Sequence, residues 1–383
     1  MSDLKEVERS ASRDHTAAMN SLIELSASHA ALRDGDDSFV ADSYDYAKKS
    51  GLIDAGVPAE LGGGGADIRT LCGILRNLAH GCSSTALALS MHSHQVAFPA
   101  WRWHHQPETR SKTEPLLRRI AEEKLVLLSS GGGDWIGGSG KAEMVDGGYR
   151  VTARKAFVSG APAGDLLMTS AVTPEDGGTV IHFACPMAAP EVSILDTWHT
   201  LGMRGTGSHD VMIEGLFIPD DKVAVKRPQG RWNPVFYMLA PLAFPLIYSV
   251  YLGVAEHARD IAVGIASKRP ATALLRERAG RMDTALAAAR MAHESMIAAA
   301  EENAPSAETV NKAMIGRRLV EENAIQTVER ALVLAGGAGF YRKAELERLF
   351  RDIQAARYHP LQREIQAEFA GALALGHPSE EIF

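Results

Sequence analysis

The chain has 383 residues, 46% hydrophobic and 23% charged, proportions of a globular protein that exclude a disordered or fibrous chain. At about 100–200 residues per domain, this length predicts two or three packed domains. Forty Lys and Arg stand against 47 Asp and Glu, a net charge of −7, and no basic block breaks that balance, which argues against nucleic acid as a partner. Three scattered cysteines, Cys72, Cys82 and Cys185, suit neither a disulfide framework nor a CxxC metal site, and they predict a reducing, cytoplasmic compartment.

The opening segment MSDLKEVERSASRDH mixes charges and lacks the apolar stretch of a secretory signal, so the protein is expected to stay in the cytoplasm. Residues 1–124 read as an N-terminal α-helical domain, with breakers at Asp34-Gly35-Asp36, His80-Gly81 and a flexible turn from Gly62 to Gly65. The run STALALSMHSHQVAFPAW is a helix that Ser83-Ser84 can cap and Pro99 can stop. From Leu125 the character changes. Glycine turns punctuate the chain, and Tyr149, Val151 and Ala153 alternate with Arg150, Thr152 and Arg154, the period of a half-buried strand. Residues 125–225 therefore predict a middle β domain, small and antiparallel, built as a barrel or sandwich.

Residues 226–383 return to helical periodicity, with stripes such as Ala285, Ala289, Ala292 and Met296. From Phe236 to Ala255 no residue is charged, long enough to cross a bilayer. Pro241 and Pro245 would break the first half, leaving a buried central helix from about Pro245 rather than a membrane span. The nucleotide loops GxxxxGK[ST] and GxGxxG and the nucleophile elbow GxSxG are missing. His92 with His94, and His104 with His105, lack the further ligands that zinc requires, so no metal site is predicted.

Four blocks in order carry a resemblance: LSSGGGDWIGGSG, then DGGYRVTARKAFVSGAPAGD, then GMRGTGSHDVMIEGLFIP, then LAGGAGFYRKAELERLFRD. Together they resemble the acyl-CoA dehydrogenase superfamily of flavoproteins, whose α+β fold has the same order of helical domain, β domain and C-terminal four-helix bundle. The resemblance implies FAD in the cleft between β domain and bundle, with FMN or a diffusible reduced flavin as other forms. Carried over by position, Phe157 lies against the isoalloxazine, Ser159 bonds near N5 and O4, and Leu128, Ser129 and Ser130 supply further flavin contacts. Arg269 falls where the family binds the FAD pyrophosphate, often of a neighbouring subunit, and Gly336-Gly337 where the backbone approaches the adenosine. A homotetramer or homodimer is implied.

A dehydrogenase of this family needs a glutamate to take the substrate α-proton. His359-Pro360 stands at its usual place, Ala243 at its other known place, and Glu256, the nearest carboxylate, is expected at a surface on the far side of the helix. The TFG that follows the pyrophosphate arginine is absent, and Val333 replaces a customary glutamine. The chain thus looks closer to the flavin-dependent monooxygenase branch, which receives reduced flavin from a reductase. That branch works through a flavin C4a-(hydro)peroxide on a small aromatic, amine or CoA-thioester substrate. Ser159 then steadies the adduct, while His92 and His359 face the substrate, His359 exchanging its proton near neutrality. An FAD-dependent acyl-CoA dehydrogenase with an unassigned base is the other reading.

Overall fold

The computed structural model describes residues 12–134, 137–174 and 178–378. Most of the opening segment, and Trp135-Ile136 of the first glycine block, lie outside the described residues. Five helices come first: α1 (Thr16–Gly35), α2 (Ala41–Ser50), α3 (Ile68–Gly81), α4 (Ser83–His105) and α5 (Arg110–Glu123). Cys82, not a serine, caps α4, its Sγ accepting from the Thr85 amide. Pro99 does not stop α4, because the helix runs on to His105 with Pro99 buried inside it. The Gly62–Gly65 turn is packed rather than loose: a Cβ on Gly63 would meet Val57 at 2.3 Å and one on Gly64 would meet the His15 ring at 2.6 Å.

One eight-stranded sheet follows: β1 (Leu127–Ser129), β2 (Lys141–Val145), β3 (Gly148–Lys155), β4 (Leu166–Thr173), β5 (Thr179–Pro186), β6 (Val192–Leu195), β7 (Asp210–Pro219) and β8 (Val225–Pro228). Its order is β6-β7-β3-β2-β4-β5-β8, with β1 beside β4. The expected alternation holds, since Val151 and Ala153 are buried and Arg150, Thr152 and Arg154 exposed. The expected antiparallel domain needs correction at β4, which pairs in parallel with both β1 and β2. β1 enters straight from the helical domain, and that connection sets its direction.

The last region contains α6 (Phe236–Ala266), α7 (Ala273–Glu301), α8 (Ala307–Ala335), α9 (Leu346–Ile353) and α10 (Arg363–Leu375). Contrary to the break expected at its prolines, α6 is continuous from Phe236 through Pro241 and Pro245. A helix wrapped on every side by α3, α4, α7 and α8 gains enough apolar burial to outweigh about 3 kcal/mol per interior proline. By length and composition alone α6 could cross a membrane, yet 89% of its most apolar window is buried inside the protein. Gly253 lets α6 cross α3 closely, because a Cβ there would lie 2.2 Å from the Arg76 carbonyl oxygen. Glu256, expected at a surface, is buried beside α3 and α7, and Arg76 and Arg290 donate to its carboxylate; burial raises its pKa, but His80, Arg76 and Arg290 outweigh that and hold it at about 2.

Candidate functional site: the junction of sheet and bundle

Three chain segments converge where β1 and β3 end. The Gly131 amide donates to the Ala156 carbonyl at 2.9 Å, and a Cβ on Gly131 would press on the Phe157 ring at 3.2 Å. On its other side Gly132 leaves 2.9 Å between its would-be Cβ and Pro360. The glycines thus seat the sheet edge against both the Phe157 turn and the His359-Pro360 segment of the C-terminal region. Any side chain at Gly131 or Gly132 would push the three apart.

Phe157 stands out by conformation. Its φ is +57°, a region that costs a bulky residue roughly 1–2 kcal/mol, and its ring is 61% exposed. The strain is held by flanking bonds, Val158 N to His209 O at 3.1 Å and Ser159 N to Phe157 O at 3.0 Å. Trp198 meets the ring edge-on at 6.1 Å, leaving a face free for a flat aromatic ligand. An exposed aromatic kept in a strained backbone is the kind of outlier that clusters at functional sites.

Ser159 is nearly buried, and its hydroxyl lies 2.8 Å from that of Ser208, which lies 2.6 Å from Thr206 Oγ1. On β1, the Leu128 side chain is wholly buried beneath Gly160 and Gly164, so its backbone is what it can offer a ligand. The Ser129 hydroxyl touches Met91 Sδ at 3.9 Å, and Ser130 accepts from Thr169 at 3.0 Å. A flavin fits the chemistry of these residues: an exposed aromatic side chain at Phe157, the Ser159 hydroxyl two residues on, and the β1 backbone at Leu128 beside them.

Arg269 and Gly336 meet elsewhere in the chain. The Arg269 guanidinium donates to the Leu334 carbonyl at the end of α8, and its Nη1 lies 3.5 Å from where a Gly336 Cβ would be, Gly336 having φ +64°. Gly337 has nothing within 4 Å of its would-be Cβ. Two site elements 67 positions apart in sequence are therefore brought together, around apolar side chains left exposed, Val333, Phe340 and Tyr341.

The histidines divide differently from expectation. His92 accepts from the Leu127 amide through Nδ1 at 2.9 Å and donates from Nε2 to the Ile53 carbonyl at 2.7 Å. Both ring nitrogens are spent on backbone, so His92 cannot face a substrate; it braces β1 from beneath. His94, weighed in the sequence only as a metal ligand, acts electrostatically on His359, and burial holds its own pKa at about 4. His359 Nε2 shares a hydrogen bond of 2.5 Å with the Tyr251 hydroxyl, and Arg317 donates to the carbonyls of His359 and Leu361 at 2.9 and 2.7 Å. Burial, then the Arg317 charge and His94, pull the His359 pKa down to about 3, which corrects the near-neutral titration expected. The imidazole is neutral in the working range and serves as a hydrogen-bonding group rather than a proton store.

Two carboxylates near these segments, Asp134 and Asp352, are engaged. Asp134 takes Lys155 at 2.9 Å together with Ser139 and Thr169. Asp352 takes the Met203 amide at 2.5 Å and the Ser83 hydroxyl. Among the described residues no group of three or more His, Cys, Asp or Glu side chains could hold a metal.

Known proteins align with most of this chain. The family description "Acyl-CoA dehydrogenase, N-terminal domain" matches residues 16–116 and "Acyl-CoA dehydrogenase, C-terminal domain" matches residues 246–364. The amino sugar nitrososynthase RubN8 of Streptomyces rubradiris is 30% identical over 91% of this chain and 86% of its own. The amino sugar nitrososynthase DnmZ of Streptomyces peucetius is 28% identical over 87% and 86%. Among solved structures, KijD3 in complex with FMN and dTDP-3-amino-2,3,6-trideoxy-4-keto-3-methyl-D-glucose superposes with a TM-score of 0.84 at 28% identity, covering 96% of both chains. The chain is a flavin-dependent oxidoreductase that belongs to the acyl-CoA dehydrogenase superfamily, in its monooxygenase and nitrososynthase branch.

Proposed function

We propose that this protein is an oxygenase that takes reduced flavin from a separate reductase and inserts one atom of dioxygen into a small nucleophilic substrate, an amine of the amino sugar class first. One observation carries the choice over α,β-dehydrogenation. Where a dehydrogenase needs its base, the neutral His359 and Pro360 close the cleft, and Asp134 and Asp352 are locked into other partners. The reduced flavin supplies two electrons; one oxygen atom goes to the substrate nitrogen and the other leaves as water. Phe157 carries the flavin ring, Ser159 bonds its edge, and Leu128, Ser129 and Ser130 line it. His359, backed by Tyr251 and held by Arg317, orients the substrate amine and excludes water.

Arg269 beside Gly336 supports FAD, whose pyrophosphate a guanidinium can hold bidentately, and the exposed Val333, Phe340 and Tyr341 around it support assembly as a homotetramer or homodimer. The working compartment is the cytoplasm. The test supplies a dTDP-amino sugar, NADH-driven flavin reductase and 18O-labelled dioxygen. One labelled atom on the product nitrogen is expected. Anaerobic bleaching of bound flavin by a saturated acyl-CoA, with the enoyl product recovered, would overturn the proposal and restore the dehydrogenase.

A further inference from the structure

Four oxygens form a chain that ends at the Ser159 hydroxyl. The Met203 carbonyl lies 2.9 Å from Thr206 Oγ1, Thr206 Oγ1 lies 2.6 Å from Ser208 Oγ, and Ser208 Oγ lies 2.8 Å from Ser159 Oγ. Each gap is too short for two oxygens without a hydrogen between them. The carbonyl contributes none, and the three hydroxyls contribute one each. Three gaps and three hydrogens leave one assignment: Thr206 donates to Met203, Ser208 donates to Thr206, and Ser159 donates to Ser208. The Met203 carbonyl also accepts from the Trp198 indole at 3.0 Å and the Thr206 amide at 3.1 Å, and no proton returns from it.

The surroundings prevent the chain from reversing. Thr206 is 0% and Ser208 3% exposed, so water cannot offer either hydroxyl another partner. Met203 is fixed in a left-handed conformation, φ +55°, by the bond from its amide to buried Asp352. Gly207, between the two hydroxyl residues, has no room for a side chain, since a Cβ would lie 2.7 Å from the Phe39 ring. Bonds from Gly160 N to Thr206 O at 2.9 Å and Val158 N to His209 O at 3.1 Å hold the Ser159 turn opposite Ser208.

We propose that Thr206 and Ser208 are positioning residues that spend the Ser159 proton inside the protein and leave Ser159 a hydrogen-bond acceptor toward the cleft. The proposal rests on the reading that Ser159 borders the flavin, and it adds what that serine can distinguish. Reduced flavin carries a hydrogen on N5 and can donate it; oxidised flavin presents a lone pair there and needs a donor. A Ser159 that can only accept therefore selects the reduced cofactor, the form an oxygenase must capture from a reductase and keep until dioxygen arrives. Removing Ser208 or Thr206 frees the Ser159 proton to turn outward and serve the oxidised form.

Dissociation constants for oxidised and dithionite-reduced flavin, measured under argon with FMN and with FAD, test this on wild type, Ser159→Ala, Ser208→Ala, Ser208→Thr and Thr206→Val. Wild type should bind the reduced form more tightly. Ser208→Ala and Thr206→Val should lower the ratio of oxidised to reduced dissociation constants about tenfold, the scale of one hydrogen bond gained or lost. Ser208→Thr, which keeps the hydroxyl, should restore the ratio. A merely structural role would weaken both forms together and leave the ratio unmoved. If Ser159→Ala shifts the ratio and Ser208→Ala does not, the serine borders the flavin but the proposed polarity is wrong. Unchanged affinities for both forms in Ser159→Ala would remove the serine from the flavin and the proposal with it.

Discussion

Lowering the pH from 7 to 5 probes how His92 is held. Its Nδ1 must stay unprotonated to accept from the Leu127 amide, and burial holds its pKa at about 4 against about 6.5 in an unfolded chain. The unfolded state therefore takes up the proton first, and stability falls as pH falls through about 6.5, levelling off only below about 4. For one such histidine the linkage relation gives a loss of about 1.8 kcal/mol between pH 7 and pH 5. His94, held at about 4 for the same reason, adds a similar amount, so the pair removes roughly 3.5 kcal/mol from a typical total of about 5–15 kcal/mol. Carboxylates contribute little in this interval because their unfolded values lie near 4.

Urea unfolding of the flavin-free protein at the two pH values, on wild type and His92→Asn, measures the effect. The asparagine carbonyl can still accept from Leu127, but its shorter side chain does not carry a donor as far as the Ile53 carbonyl. The variant should lose about 1–3 kcal/mol at pH 7 and show a pH 7 to 5 drop smaller by about 1.8 kcal/mol. An identical drop in both proteins would refute the backbone clamp on His92.

Gly132→Ala should lower stability by about 1–3 kcal/mol and slow substrate turnover, because its Cβ displaces Pro360 and with it His359; thermal melts and turnover assays together check this. Arg269→Ala should weaken FAD binding some ten- to hundredfold while sparing FMN, which has no pyrophosphate; equal losses for both flavins in a binding titration would place the arginine elsewhere. Asp352→Ala should lose about 2–5 kcal/mol, leaving the Met203 amide and Ser83 hydroxyl unpaired. Asp352→Asn should lose far less because it keeps an acceptor, and equal unfolding free energies for the two variants would contradict the clamp.

The order of helices, sheet and helices was legible because each region follows its own hydrophobic period, and the Val151 and Ala153 alternation survives unchanged in β3. Tertiary packing overrode local rules in α4 and α6, where Pro99, Pro241 and Pro245 sit inside buried helices. His92 of the STALALSMHSH run is expected from sequence to face a substrate, whereas the fold commits both of its ring nitrogens to backbone. Two residues apart on a helix, His92 and His94 point to different sides, and only the fold shows that β1 covers the first while His359 neighbours the second. Tyr251 gave a usable signal, a polar-tipped aromatic in a stretch without charge, three residues after Tyr248. Ser208 and Thr206 gave none apart from the motif that contains them.

That motif explains why the resemblance rests on those particular blocks. Asp352 of ERLFRD pins Met203 of GMRGTGS; Met203 receives Thr206, and Ser208 receives Ser159 of FVSG. Arg351 of the same ERLFRD holds Asp34 at the end of α1 through two bonds, 2.6 and 2.8 Å. Segments up to 317 positions apart in sequence thus form one partly buried network that runs from the N-terminal helices through the C-terminal region to Ser159. A hydroxyl that must discriminate one hydrogen on a ligand needs its own hydrogen fixed, and fixing it requires partners that cannot rotate or meet water. The three domains supply those partners jointly, so the chemistry at Ser159 depends on how they are assembled as much as on the residues that line the cleft.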